Sequence, residues 1–359
     1  MGPAGGDTTA PAGPRLQRLL VAAAAIVLVA SACGSDDDDG TAATSPAAVA
    51  ATTLPAGEAA PLDVQGHRGA RGLRPENTLP AFETALDLGV TTLELDLHLS
   101  ADGRIVVWHD PEIDADKCRL ADGAADDVPD PDDVLVPSRD RRIRALTVAQ
   151  LEGYRCDRNP DEGRFPDQTA EPTTLAADFG IVTLGELFDF VAGYAVSDTK
   201  TAQQRREAAG VIFNIETKRK VGEPGTIGDG FDGVNAGPFE MEILRVVAEH
   251  DLRSRVVIQS FDHRSLWAVH ALDPGIALAA LSVREGVDFG ALAANGATIW
   301  SPNQDAVTAQ RLADAHAAGL SVIPWTVNGQ ADMERLVDLG IDGLITDRPD
   351  LLLEMVRDA

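Results

Sequence analysis

"TTLELDLHLSADGRIVVWHDP", residues 91–111, alternates apolar and polar side chains before and after an Asp-Gly pair. In an extended chain, side chains two apart leave on one face. Leu93, Leu95 and Leu97 therefore share one face of a strand, and Glu94 and Asp96 share the other. Three leucines packed outward beneath helices leave both carboxylates facing inward, where they need a cation or hydrogen-bond donors. "SADGR" carries a strong hairpin signal. With Asp102 and Gly103 as the two central turn residues, Asp96 is expected opposite His109, both on the carboxylate face.

The rest of the chain tells what kind of sheet this strand joins. From residue 64 onward, short β-rich runs alternate with helical stretches, the rhythm of a parallel sheet. The runs are "VQGHRGA", the quoted strand, "VIFNIETK", "VVIQSF", "IALAALS", "ATIWSPN", "VIPWTVN" and "GLITD". Eight such strands close an α/β TIM (β/α)₈ barrel. An open doubly wound sheet is the alternative, but no GxGxxG loop opens a helix after the first strand. Asn77 is expected to cap the first helix, with Pro80 in its first turn and Gly89 at its end. Residues 110–182 break the rhythm with Asp, Pro and Gly, and are expected to be an insertion after the second-strand hairpin. "LTVAQLEGY" and "TLGELFDFVAG" are the helices expected around it.

The chain has 359 residues and a formal net charge of −27, from 57 acidic and 30 basic side chains. That balance argues against a nucleic-acid partner, whose phosphates demand a basic face. Arg15 and Arg18 precede an apolar run, Leu19–Ala32, that is short for a membrane span and laid out like a secretory signal. Its end, "ASAC", resembles the lipobox of bacterial lipoproteins, whose cysteine, here Cys33, takes the lipid. Residues 1–33 are thus expected to be a signal peptide and 34–60 a disordered tether, with the barrel spanning 61–359. The expected location is outside the cell membrane, lipid-anchored through Cys33 or otherwise secreted. Lipidated Cys33 is the only membrane contact expected. Cys118 and Cys156 then form an even pair inside the insertion, a candidate disulfide in an exported chain. Oligomeric state leaves no signal in the sequence.

Strand exits carry the chemistry of a barrel. "VIFNIETKRK" places Glu216 and Lys218 two apart at the end of an apolar run. Glu94, Asp96 and Glu216 would make a hard oxygen site suited to one divalent cation, Ca²⁺ or Mg²⁺. Lys218 reads equally as a charge partner of these carboxylates or as a phosphate contact. His67 and Arg68 leave the first strand at the same rim. Two histidines flanking a metal, His67 and His109, can act as general base and general acid at phosphorus, while Arg68 clamps its oxygens. Trp325 reads as a substrate wall or as a core aromatic. The other histidines, His98, His250, His263, His270 and His316, read as surface or packing residues.

"GHRGARGLRPENT", "ELDLHLSADGRIVVWHD", "IETK", "QSF", "WTVN" and "DGLITDRP" resemble, in order, the motifs of the glycerophosphodiester phosphodiesterases, from about residue 64 to the C-terminus. The resemblance implies a TIM barrel with an insertion after the histidine-bearing hairpin. It implies one divalent cation on Glu94, Asp96 and Glu216, His67 and His109 as the acid/base pair, and Arg68 and Lys218 on the phosphate of a small-molecule phosphodiester. The implied reaction is attack by the substrate's glycerol 2-hydroxyl on phosphorus, then opening of the cyclic phosphate by water to glycerol 3-phosphate. Glu76 and Asn77, in "PENT", are expected to support the site rather than react. Two alternatives stand beside this: a phospholipase D-like barrel enzyme acting on intact lysophospholipid or sphingolipid, and a non-catalytic phosphodiester-binding lipoprotein.

Overall fold

A computed structural model describes residues 61–283 and 286–358, together with Gly2. Apart from Gly2, the expected signal peptide, Cys33 and the tether lie outside the described residues. Among those residues no helix is long and apolar enough to cross a membrane.

The strands in chain order are β1 (Asp63–Gly66), β2 (Thr92–Leu99), β3 (Ile105–Val107), β4 (Arg119–Leu120), β5 (Tyr154–Arg155) and β6 (Ile212–Thr217). They continue as β7 (Val256–Ser260), β8 (Ala277–Ser282), β9 (Ile299–Pro302), β10 (Ser321–Val322) and β11 (Gly343–Thr346). Eight of them pair in parallel in the order β10-β9-β8-β7-β6-β2-β1-β11. The two ends of this sheet meet through backbone bonds from Asp342 N to Val322 O (3.1 Å), Ile345 N to Pro324 O (3.0 Å) and Val327 N to Ile345 O (3.0 Å). The sheet is thus the barrel that the eight-strand pattern predicts.

Helices α1 (Leu79–Leu88), α2 (Val148–Leu151), α3 (Leu184–Tyr194), α4 (Ala202–Gly210) and α5 (Pro238–Glu249) are followed by α6 (His263–Leu272), α7 (Phe289–Ala294), α8 (Ala309–Ala317), α9 (Gln330–Leu339) and α10 (Pro349–Asp358). Leu93, Leu95 and Leu97 are fully buried in the core beneath them, along with Phe82 of α1 and Leu187 of α3. Each such side chain contributes about 1.5–3 kcal/mol by leaving water. Their burial on the helix side commits Glu94 and Asp96 to the barrel interior.

Two local expectations are corrected. The hairpin pairs Leu97 with Val107 and Leu99 with Ile105, so Trp108, not His109, stands opposite Asp96 and donates its N–H to Asp96 O at 3.0 Å. The loop holds three residues rather than two: Ser100 N bonds Arg104 O at 2.9 Å, and Gly103 takes the left-handed φ of 74°. This is a tight turn plus one left-handed residue. Asn77 does not cap α1. Thr78 is its N-cap, and Asn77, itself left-handed at φ 57°, turns its side chain to Asp96.

The insertion has a core of its own. Trp108, Ile113, Val128, Ile143, Leu151 and Tyr154 are buried together, with Cys118 and Cys156 joined as a disulfide among them. β4 and β5 pair antiparallel across the same region. Of its expected helices, the first is a single turn, α2, held by a capping box between Thr147 and Gln150. The second, α3, already belongs to the barrel wall and starts on a Thr183–Glu186 capping box.

Candidate active site

The strands bring their acidic ends side by side. The β2–β6 register sets Asp96 beside Glu216 and Glu94 beside Asn214. Ligand oxygens of Glu94, Asp96 and Glu216 lie within 4.8 Å of one another, all three residues buried. Gln259 of β7 donates to Glu94 Oε1 at 2.7 Å, and Asn214 bridges Gln65 and Gln259 below, so the floor is a polar layer inside an apolar barrel.

The turn after β1 delivers the first cation and histidine. A Cβ on Gly66 would lie 2.3 Å from Gly69 O, and one on Gly69 2.6 Å from the Ala81 carbonyl carbon, so neither position admits a side chain. This tight path, with Arg68 left-handed at φ 52°, aims the Arg68 backbone N–H at Glu94 Oε2, 3.0 Å away. The Arg68 side chain donates from Nη1 to Glu76 Oε2 at 2.9 Å, and its Nε sits 3.0 Å from Asp96 Oδ2 as an ion pair without hydrogen-bond alignment. Lys218 Nζ is 2.8 Å from Glu216 Oε1 and 3.4 Å from Asp96 Oδ1.

Both histidines are held by carboxylates that the sequence did not single out. Asp347, after β11, lies 2.5 Å from His67 Nδ1, and Asp110 lies 2.6 Å from His109 Nδ1. Despite burial, the His67 charge and hydrogen bond hold the Asp347 carboxyl down at about 2. Asp110 is likewise driven below the ordinary carboxylate range against its burial, by His109 and Lys117. An ionised carboxylate only accepts, so each Nδ1 carries the proton and each Nε2 is left for the cavity. Burial lowers both imidazoles, with the Arg68 charge assisting. His98, fully buried and lowered to about 4 by burial, donates from Nε2 to the His109 carbonyl at 3.0 Å. It is a packing residue, as expected, and it fixes the His109 backbone.

Lys117 ties this side together, bonding Glu76 Oε1 at 2.7 Å and Asp110 Oδ2 more closely still. The histidines, Arg68, Lys218, Glu94 and Glu216 line one cavity of about 380 Å³ with Arg71, Lys117, Arg164, Phe261 and Trp325. Trp325, half-buried, meets Phe261 edge-on at 5.3 Å and donates Nε1 to Ser301 O, so it forms wall rather than core. The structure therefore gathers every site residue expected from the sequence. It adds Asp110, Lys117, Gln259 and Asp347, of which the motifs "ELDLHLSADGRIVVWHD", "QSF" and "DGLITDRP" had already contained three.

The carboxylate cluster fits a hard divalent cation. Asp96 Oδ1 is buried with no hydrogen-bond partner, although Lys218 lies 3.4 Å away. Glu94 is pushed well above the usual carboxylate range by burial and then by the charges of Asp96 and Glu216. Burial raises Glu216 as well, and an all-oxygen set with one orphaned oxygen and two carboxyls resisting ionisation is short of positive charge at its centre.

Barrel and rim together define the class, a (β/α)₈ barrel that sets two carboxylate-backed histidines beside an acidic cluster in one cavity. Residues 67–351 match the glycerophosphoryl diester phosphodiesterase family, and the chain belongs to it. A glycerophosphodiester phosphodiesterase of Caldanaerobacter subterraneus subsp. tengcongensis is 27% identical over 296 residues, covering 82% of this chain and 97% of that one. One from Bacillus subtilis is 26% identical, covering 79% and 83%. Among crystal structures, a Silicibacter pomeroyi protein provisionally assigned to these phosphodiesterases superposes with TM-score 0.66 at 28% identity, over 83% of this chain and 93% of that one. The fold is also that of an Oleispira antarctica phosphodiesterase solved with sn-glycerol-3-phosphate, at TM-score 0.58 and 21% identity over 83% and 97%.

Proposed function

We propose that the chain hydrolyses glycerophosphodiesters to glycerol 3-phosphate and an alcohol, with His67 and His109 as the acid/base pair and one divalent cation on Glu94, Asp96 and Glu216. The observation carrying this reading is the pair of carboxylate-backed histidines that line one cavity with that acidic cluster. A cation held there would neutralise charge on the phosphoryl oxygens.

The chain's own residues supply the rest. Arg68, through Nη2, and Lys218 Nζ bind the non-bridging oxygens. One neutral histidine takes the proton of the substrate's glycerol 2-hydroxyl through Nε2 as that oxygen attacks phosphorus. The other, protonated, gives its Nε2 proton to the departing alkoxide. The same pair with roles exchanged then delivers water to the cyclic phosphate. Asp347 and Asp110 keep each ring oriented through both steps, as the carboxylate of a catalytic triad does. Trp325 and Phe261 shield one side of the cavity from water.

The cation is Ca²⁺ or Mg²⁺, both of which suit oxygen ligands. The leader belongs to the same reading: an exported enzyme, anchored through Cys33 or released by cleavage. Phosphorus NMR of glycerophosphocholine turnover tests the reaction. Glycerol 3-phosphate as the phosphorus-bearing product, with a transient cyclic diester, supports it; phosphocholine as the product contradicts it.

A further inference from the structure

The rim carries two cations that the proposed reaction does not use. Five cations line the cavity, Arg68, Arg71, Lys117, Arg164 and Lys218, against the carboxylates of Glu94, Asp110 and Glu216. Arg68, Lys117 and Lys218 are each bonded or paired to two carboxylates. Arg164 is the least committed. Its nearest carboxylate oxygen, Asp347 Oδ2, is 3.6 Å away, and its side chain is 51% exposed. Arg71 meets Glu76 through Nε alone, at 2.7 Å.

These two guanidiniums are stacked on one ring and only partly neutralised. Both lie over the ring of buried Phe165, at 4.6 Å for Arg71 and 4.9 Å for Arg164. The insertion fixes that ring: Phe165 N bonds Asp161 O at 2.8 Å, and Asn159 Nδ2 bonds Phe165 O at 2.8 Å. Gln168, also of the insertion, holds the Arg71 carbonyl at 2.8 Å. Stacking through the face leaves a guanidinium's edge donors free for an anion. The pair flanks the reaction centre, because Asp347, the neighbour of Arg164, is the carboxylate that holds His67. Arg164 also borders a second cavity of about 230 Å³, shared with Gly72, Asn328 and Arg348, so a larger substrate has room beyond it.

We propose that Arg71 and Arg164 form a second anion subsite that takes a further phosphate carried by the alcohol half of the substrate. The inference rests on the proposed hydrolysis and adds a substrate class to it: glycerophosphodiesters bearing a second phosphate beyond the scissile one. Two stacked guanidiniums suit phosphate because their paired N–H groups match its oxygens.

The test uses a matched pair, glycerophosphoglycerol and the same diester phosphorylated on its terminal hydroxyl, with the full chain and its restored cation. The phosphorylated diester is expected to have at least ~10-fold higher kcat/KM, the scale of one charge-assisted hydrogen bond. Arg71→Gln and Arg164→Gln should each bring that ratio towards one, and salt should narrow it in the wild type. A wild-type ratio near one, or a ratio unchanged in both variants, overturns the subsite. If neither diester is hydrolysed, calorimetry on metal-stripped protein separates the two claims. Tighter binding of the phosphorylated diester, lost in both variants, upholds the subsite and rejects the reaction, whereas equal binding of the two diesters overturns the subsite.

Discussion

Asp347 Oδ1 sits 2.5 Å from His67 Nδ1 across 280 residues of sequence, joining the exit of the last barrel strand to that of the first. Barrel closure is therefore what completes the His67 side of the site. Asp347→Asn should keep the fold at neutral pH yet lower turnover at least ~10-fold, because the amide no longer selects the Nδ1–H tautomer. The same carboxyl gives stability a pH signature. Its folded value is depressed to about 2, so its contribution is present above about 4 and is lost as pH falls towards 2. Urea unfolding from pH 5 to pH 2 should show about 2 kcal/mol lost in the wild type that Asp347→Asn does not lose. Parallel curves for the two proteins would remove the pairing from the account.

His67→Ala and His109→Ala should each reduce turnover by at least ~10²-fold, the low end for general acid–base catalysis, with circular dichroism unchanged. Near-normal turnover in either variant would sink that residue's role.

Burial and two neighbouring carboxylates hold Glu94 well above the ordinary carboxylate range. A cation entering the cluster must displace any proton Glu94 carries, so affinity should weaken as pH falls. Calorimetry in buffers of different ionisation enthalpy should detect proton release on cation binding, and Glu94→Gln should reduce it. Proton-neutral binding at acidic pH would place the cation elsewhere.

The Cys118–Cys156 disulfide closes a loop with a sequence separation of 38. Loop-closure entropy assigns it about 4 kcal/mol. Replacing both cysteines with serine should open the insertion to proteolysis between residues 110 and 182 while the barrel resists. Turnover should fall as well, since Lys117, next to Cys118, holds the Asp110 carboxylate beneath His109. Unchanged proteolysis and unchanged turnover would show that the insertion's apolar core suffices.

The barrel was legible in the sequence because parallel strands between helices repeat one signal eight times. The carboxylate face was legible for a narrower reason: Leu93, Leu95 and Leu97 leave Glu94 and Asp96 only one direction. Legibility failed where one residue changes the geometry. A third loop residue, accommodated by left-handed Gly103, shifts the hairpin register by one and moves His109 past the end of the ladder. Asn77 failed as a cap because Asp96, 19 residues away, offers its amide a buried partner. Asp347, Gln259, Lys117 and Arg164 act across elements distant in sequence, and local spacing carries no trace of such contacts. The insertion's composition concealed a core because its buried residues are spread thinly among aspartates and prolines.

On the proposed mechanism, diester cleavage depends on a cation held by the buried carboxylates. The deciding experiment is glycerol 3-phosphate release from glycerophosphocholine by the purified full chain, first as isolated, then with EDTA, then with Ca²⁺ or Mg²⁺ restored. Release abolished by chelation, recovered with one cation, and not recovered in Glu216→Gln is the expected result. Release that persists undiminished through chelation would contradict it.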